Sequence, residues 1–268
     1  MRIKYLDGRP STIAKSLVDL DLSYTDFRDQ DLRGQDFQGA NLTGSDLTGA
    51  LLSGANLSKC NLSHAILIGC VATRANFRST ALDHADFESS ELWGSDFSHV
   101  RGIEACFAGS NMNEVDLTDS FLPAVNMFEC SLRGSLLKTM SAEASDWREA
   151  LLEGADLTAS DVRYSKFDSA NMRQVCLERA LLNGGSLYKT DLTEAQMAGV
   201  SLEFCNANKA NLTGVFGLLE ASSVRGLYLG AAQVDRDTYN NLMGRVVSWV
   251  ESKDSPARLA SGQEVIAL

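Results

Sequence analysis

Three side chains that could bind a metal ion recur at intervals of twenty residues: His64, His84 and Glu104. Imidazole nitrogens and carboxylates are ligands that Zn²⁺ accepts. If the chain coils with twenty residues per turn, these side chains form one column with about 4.8 Å between neighbours. The competing interpretation is an exposed column of unrelated polar residues. We favour that interpretation and predict no metal and no other cofactor.

Groups for covalent or acid–base catalysis do not form a known motif. The sequence contains no nucleophile elbow, no phosphate-binding loop and no dinucleotide-binding loop. It holds three histidines and six cysteines. The cysteine spacing fits neither a zinc site nor a disulfide framework. We therefore predict that the protein is not an enzyme.

The element that must position these side chains is a repeat of five residues. From Leu17 to Leu212 every fifth residue is apolar or small, without insertion or deletion. Two positions before each residue of this main row the chain mostly has a small residue. The residue between the small one and the main-row one is often Asp or Asn. Every Phe or Trp in the main row has a number ending in 7. A close-packed interior accepts such rings from one opposed pair of sides only, so the pattern predicts a four-sided coil.

The motif A-(D/N)-(L/F)-x-x resembles the pentapeptide-repeat family over roughly residues 17–215. The resemblance implies an all-β solenoid, namely a right-handed quadrilateral parallel β-helix of the loop-free type. At four pentapeptides per coil, the rod would have about ten coils and a length of about 48 Å. Residues 1–16 keep no five-residue frame and are predicted to form an N-terminal cap. Residues 216–268 are predicted to form a C-terminal cap, a helix and a tail.

An apolar stripe at helical spacing follows Asp237 and Thr238, either of which could cap a helix. It predicts a C-terminal α-helix that covers the last coil, forms a homodimer interface, or does both. The stripe consists of Tyr239, Leu242, Met243, Val246, Val247 and Val250.

Charge is concentrated on the rod. The chain has a net charge of −11, and residues 21–212 hold 27 acidic and 15 basic residues, a net −12. Averaged over the rod, this is one net charge per about 4 Å, against about 1.7 Å in duplex DNA. One side of the coil is predicted to be the richest in acids and to form a partner-binding face. Its members include Asp26, Asp46, Asp86, Glu88, Asp146 and Glu149.

The resemblance suggests a function for this charge. Several members of the family resemble B-DNA in width and charge, bind DNA gyrase or topoisomerase IV, and protect the enzyme from quinolones or peptide poisons. The first hypothesis is therefore a DNA-mimicking binder of a type II topoisomerase, which does not itself bind nucleic acid because like charges repel. The alternative is an interaction scaffold or a secreted effector that binds a partner through an exposed face. The acid-free stretch 47–82, with Leu51, Ile66 and Ile68, is the candidate patch for it.

The sequence shows no export signal and no run of apolar residues long enough to span a membrane. It predicts a cytoplasmic protein, with delivery by a specialised secretion system left open. Gly102 and Ala142 both leave room in the core, on the same side and two coils apart. We expect the coil stacking to be least regular near residues 100–103.

Overall fold

In a computed structural model of the chain, short parallel bridges connect each coil to the next. The structure describes residues 2–8, 12–13, 15–238 and 258–259. Asp21 pairs with Asn41, and the offset of twenty residues continues to the pair of Gln196 with Phe216. Each interval of twenty residues holds four bridged residues, so the chain is a β-helix solenoid. The right hand of the coil and the number of coils stay predictions.

Four sides can be named by their first bridged residues. The Asp21, Asp26, Asp31 and Asp36 sides follow one another along the chain, and each continues at every twentieth residue. Each bridged residue precedes a buried residue of the main row, which is followed by a two-residue turn. Side chains twenty apart in sequence are therefore neighbours along the rod, about 4.8 Å apart.

The rows predicted to face inward form the core. The main row is buried from Leu17 to Leu212, and the row of small residues is buried from Ala40 onward. Rings meet across the core as the period of ten predicts. Phe77 and Phe97 stack at 4.4 Å between ring centroids, and Phe87 meets both edge-on at 5.7 and 5.8 Å. Phe87 lies on the Asp26 side and the other two on the opposite Asp36 side, which confirms that one opposed pair supplies the rings.

The N-terminal segment covers the first coil. Strand β1 (Arg2–Ile3) pairs antiparallel with strand β2 (Thr12–Ile13). Tyr5 forms an antiparallel bridge with Thr25, and the Lys4 carbonyl accepts the Asp26 N–H at 2.8 Å. Ile3 is fully buried. These contacts place backbone partners and an apolar side chain where the first coil would otherwise be open.

The coil continues beyond residue 215, the predicted end of the repeat. A 3-10 helix (Leu218–Glu220) accommodates two extra residues, and the offset then becomes twenty-two, as in the pair of Ser201 with Ser223. The ladder reaches β3 (Gln233–Val234), which pairs in parallel with β4 (Arg258–Leu259).

Residues 236–238 form a helical turn at the end of the described stretch. The residue that caps this turn is neither Asp237 nor Thr238, the two candidates from the sequence. It is Asp235, whose Oδ1 accepts the Thr238 N–H at 2.7 Å. The predicted stripe from Tyr239 to Val250 lies outside the described residues. Within the described ranges there is no helix whose length and apolar character would suit a membrane span.

The turn after Gly102 is irregular, but the coil stacking that the sequence predicts to be least regular near residues 100–103 keeps its ladder hydrogen bonds. Ile103 and Glu104 form a bend, whereas the other two-residue corners between residues 17 and 215 are regular turns. The Ile103 N–H donates to Asp83 Oδ1 at 2.9 Å, and the Ile103 side chain is exposed. Hydrogen bonds between coils continue, with Gly102 N donating to the Phe121 carbonyl at 2.9 Å. The irregularity is therefore confined to the turn.

Replacing Gly102 with alanine should destabilise the coil. A Cβ at this position would lie 2.8 Å from the Leu82 carbonyl carbon and oxygen, which the ladder holds in place. We expect Gly102→Ala to lower the free energy of unfolding by about 1–3 kcal/mol, the usual cost of overpacking. Urea unfolding followed by circular dichroism measures the change. An unaltered urea midpoint would show that the turn at Ile103 and Glu104 moves to admit the methyl group without loss of stability.

Candidate binding surface

His64, His84 and Glu104, the candidate metal ligands, do form a column, but its geometry is wrong for a metal. The His64 and His84 rings stack with centroids 4.9 Å apart and planes 15° apart, and His84 Nδ1 lies 3.4 Å from Glu104 Oε2. Imidazole binds metals through lone pairs in the ring plane, and stacked rings do not direct these to one point. Among the described residues, no three His, Cys, Asp or Glu side chains are placed to hold a metal ion.

The cysteines do not form a reactive site. All six are free thiols, and Cys60, Cys70, Cys130 and Cys205 are buried in the row of small residues. Burial raises the pKa of each of these four thiols to about 12. A thiol with so high a pKa is a poor nucleophile at neutral pH. These cysteines therefore act as small core residues.

Half of the predicted acidic face is neutralised by neighbouring cations. Asp26 binds Arg28 Nε and Lys4 Nζ, both at 2.9 Å. Asp46 Oδ2 lies 3.6 Å from Arg28 Nε. Asp146 contacts an Arg148 guanidinium nitrogen at 2.6 Å. A partner approaching these three carboxylates would meet ion pairs rather than free charge.

The other three residues of that face remain available. Asp86, Glu88 and Glu149 have no Lys or Arg partner within the described part of the chain. The turn N–H of Glu88 donates to Asp86 Oδ1 at 3.0 Å, which fixes the Asp86 carboxylate at the surface. The structure thus places all six residues on the Asp26 side but separates them into paired and free groups.

The paired state of Asp26 leads to a prediction about pH. Hydrogen bonds from Arg28 and then from Lys4 hold the pKa of the Asp26 carboxyl well below its usual value. A depressed folded-state pKa stabilises the fold above about pH 4, and this stabilisation is lost as the pH falls through the folded-state pKa. Asp26→Asn should therefore lower the free energy of unfolding at pH 7 by about 1.5–3 kcal/mol, and the difference should shrink below pH 4.

Denaturant unfolding at several pH values tests this. Asp86→Asn is the matched control, because Asp86 occupies the same column and also accepts a turn N–H but has no cationic partner. We expect little change for the control at any pH. Equal losses for both variants at pH 7 would contradict the assignment of the stabilisation to the ion pairs.

Acids without a Lys or Arg partner form a belt around the rod rather than a single face. Residues 83–129, named here the acidic belt, hold ten acidic residues and one basic residue, Arg101. They lie on all four sides, and none of the carboxylates in this fully described stretch pairs with Lys or Arg. The members are Asp83, Asp86, Glu88, Glu91, Asp96, Glu104, Glu114, Asp116, Asp119 and Glu129.

The belt is much more highly charged than the average rod. Its net −9 is three quarters of the net −12 of residues 21–212. Its 47 residues extend over little more than two coils, about 11 Å along the axis, which gives one net charge per about 1.2 Å. Duplex DNA carries one per about 1.7 Å. The local density therefore reaches that of DNA, whereas the rod average is less than half of it.

The belt could have been found from the sequence. Sorting the acids by side of the coil hides a cluster that encircles the rod. Counting charge coil by coil reveals it, because acids are absent between Asp46 and Asp83 while Lys59, Arg74 and Arg78 lie in that gap. The ion pairs of Asp26 and Asp146 required the side-chain geometry.

The comparisons with known proteins agree with the fold. The Pentapeptide repeats family model matches in eight copies over residues 16–54, 55–94, 82–119, 142–174 and 176–214. No curated protein matches the chain.

Solved structures of similar proteins include HetL from the cyanobacterium Nostoc sp. strain PCC 7120, involved in heterocyst differentiation regulation. HetL is 22% identical over 77% of this chain and 89% of its own, with a TM-score of 0.44. Trypsin-treated QnrB1, a plasmid-mediated fluoroquinolone resistance protein, is 18% identical over 69% and 97%, with a TM-score of 0.33. The repeats, the four-bridge coil and the family match together show that the chain belongs to the pentapeptide repeat family.

Proposed function

We propose that this protein is a non-enzymatic binder that inserts its acidic belt into the basic DNA-binding groove of a type II topoisomerase. DNA gyrase is the first enzyme to test, and protection from topoisomerase poisons is the expected result of binding. The single observation that carries the proposal is the charge of the belt, a net −9 in 47 residues with no Lys or Arg pairing. That density is the property of DNA that a basic groove recognises without reading sequence.

The distribution of the belt suits a groove rather than a flat partner. Carboxylates lie on all four sides of the rod, so cationic walls on either side of a groove could contact them together. Their field extends about 8–10 Å at physiological ionic strength, which speeds encounter with a basic surface. The belt residues are fixed to a rigid ladder, so little conformational freedom is lost on binding.

The neighbouring charges set where along the rod the groove would lie. Between Asp46 and Asp83 the chain carries Lys59, Arg74 and Arg78 and no acid. A cationic groove would be repelled there and attracted by the adjacent belt. The rod is therefore expected to bind in one axial position, whereas uniform DNA can slide.

Supercoiling and cleavage assays with DNA gyrase, with and without a quinolone, test the proposal across a titration of the protein. We expect inhibition of supercoiling, or relief of drug-induced cleavage, that added salt or competing DNA reverses. A mobility-shift control should show no binding of DNA by the protein itself. If micromolar protein has no effect, or if the effect persists at high salt, the topoisomerase proposal fails.

A scaffold function is the second candidate, and one observation favours it. Ile66 and Ile68 are 40% and 36% exposed and lie together on the Asp26 side of the acid-free stretch. Leu51, the third residue of the predicted patch, is half-buried on the Asp31 side and does not extend it. A partner held by the two isoleucines would bind with little dependence on salt, which distinguishes it from a topoisomerase.

A further inference from the structure

The Asp26 side changes the sign of its charge along the rod. Its acidic half, residues 63–69, 83–89, 103–109 and 123–129, holds five acids and no Lys or Arg. Its basic half, residues 163–169, 183–189, 203–209 and 225–231, holds five basic residues and two acids. The side is therefore net −5 on one half and net +3 on the other. The turn and bridge residues 143–149 separate the halves.

Four of the five cations of the basic half are free of carboxylates, and three of these four lie close to aromatic rings. The fifth, Arg163, pairs with Asp161 and Glu143. Lys189 and Lys209 place Nζ 5.3 and 5.4 Å from the centre of the Tyr188 ring, and Lys209 Nζ lies 3.2 Å from Tyr188 Oη. The Arg225 guanidinium lies 5.7 Å from the centre of the Phe204 ring. Within the described residues, Lys166, Lys189, Lys209 and Arg225 form no ion pair. Such cation–aromatic clusters are common at the centres of protein interfaces.

Exposed apolar side chains are also divided between the halves. The acidic half exposes Ile66, Ile68 and Ile103, and the basic half exposes Tyr164, Phe204 and Tyr228. Because both halves expose large apolar side chains, a partner on this side could also bury apolar surface. A partner must match acid, base and apolar groups in a defined order.

We propose that this partner is a second copy of the chain, bound antiparallel through the Asp26 side. Bridged residues on this side follow one another at 66, 86, 106, 126, 146, 166, 186, 206 and 228. A two-fold axis crossing the side at Asp146, perpendicular to the rod, would bring Ile66 opposite Tyr228 of the second copy. It would also bring Glu88 opposite Lys209, and Asn126 opposite Lys166. Each pairing occurs twice, as symmetry requires.

Charge decides between the possible arrangements of two copies. In a parallel dimer the acidic half would face another acidic half, and juxtaposed like charges oppose association. In the antiparallel dimer the net −5 half faces the net +3 half at both ends of the contact. The overlap runs over eight coil spacings, about 38 Å. The reversed order of charges makes the side complementary to itself.

The test uses charge reversal in the full chain, with the mass in solution measured by sedimentation velocity. Variant one carries Lys189→Glu and Lys209→Glu, and variant two carries Asp86→Lys and Glu88→Lys. The coil already holds such side chains at equivalent positions. Glu149 and Glu194 occupy the turn position of Lys189 and Lys209. Lys166 occupies the bridged position of Asp86, and Arg148 the turn position of Glu88. We expect each variant alone to dimerise at least about tenfold more weakly than the unchanged protein.

The mixture of the two variants is the decisive sample. Variant one changes the basic half from net +3 to net −1, and variant two changes the acidic half from net −5 to net −1. In a one-to-one mixture the unchanged acidic half of variant one faces the unchanged basic half of variant two. At the other end, the carboxylates introduced at positions 189 and 209 lie next to the ammonium groups introduced at positions 86 and 88. We expect the mixture to form a heterodimer where neither variant alone forms a dimer. The control, Lys59→Glu with Arg78→Glu, changes two cations next to the Asp36 side and should leave the dimer unchanged.

Three outcomes would overturn the proposal. The unchanged protein could be monomeric across the micromolar range, the reversals could leave its dimer intact, or the mixture could remain monomeric. A dimer that resists the reversals but is lost in Leu242→Asp with Val246→Asp would identify the end-to-end contact predicted from the helical stripe. None of these outcomes depends on gyrase, so the self-association and the topoisomerase proposal can fail separately.

Discussion

Phe97→Ala should lower the free energy of unfolding by about 3–5 kcal/mol, the range for deleting a buried phenyl ring. Phe97 is fully buried and contacts three other rings. It stacks on Phe77 at 4.4 Å and meets Phe87 and Phe107 edge-on at 5.8 and 5.6 Å. The four-sided core is too narrow for neighbouring side chains to close the gap, because each coil is held to the next by its backbone ladder.

Equilibrium unfolding in urea measures this loss. Phe121→Ala is the control, since Phe121 is a bridged residue of the Asp21 side and 44% exposed. We expect the control to lose less than about 1 kcal/mol, as surface substitutions usually do. Similar losses at both positions would mean that the stack does not contribute beyond ordinary surface contacts. A broadened transition in Phe97→Ala would indicate that coils on either side of the stack unfold separately.

Neutralising the acidic belt should weaken binding to gyrase by roughly 10- to 100-fold at low ionic strength. The variant removes four charges from the Asp31 and Asp36 sides and leaves the Asp26 side intact for self-association. Asn occurs at equivalent positions and accepts the same turn N–H, as Asn76 does from Arg78. The changes are Glu91→Gln, Asp96→Asn, Glu114→Gln and Asp116→Asn.

The control removes the same number of charges outside the belt, at carboxylates that are paired with Arg or Lys. Its changes are Glu143→Gln, Glu153→Gln, Asp156→Asn and Asp191→Asn, whose cationic partners are within 4 Å. Both variants have the same net charge, so a difference in their affinity for gyrase must come from where the removed charges lie. Affinity measured by surface plasmon resonance at several salt concentrations should fall for the belt variant far more than for the control. Equal effects would show that only total charge matters and would remove the belt from the proposal.

The repeat made much of the fold predictable. A constant frame from Leu17 to Leu212 fixes which side chains face inward, because every coil has the same length. The alternation of rings fixes which pair of sides carries them. The extension of the coil to Val234 was not predictable in this way, since the two residues added near Leu218 break the frame while the ladder continues.

Local contacts limit what the repeat can predict about the surface. Asp26 is neutralised partly by Lys4, which lies in the cap and follows no repeat. The stacking of His64 on His84 depends on rotamers that a column of positions leaves open. By contrast, the charge density of the acidic belt can be calculated from the sequence and the length of a coil alone.

The twenty-residue offset of the ladder also constrains how such a chain can change by descent. An in-frame duplication or deletion encoding twenty residues would lengthen or shorten the rod and leave each remaining side chain on its own side. A gain of five residues would preserve the buried rows but rotate everything after it by one side, separating the acidic and basic halves of the Asp26 side. Gain or loss of whole coils can therefore change the spacing between charged regions of one side. Gain or loss of single pentapeptides instead moves charged residues from one side of the rod to another.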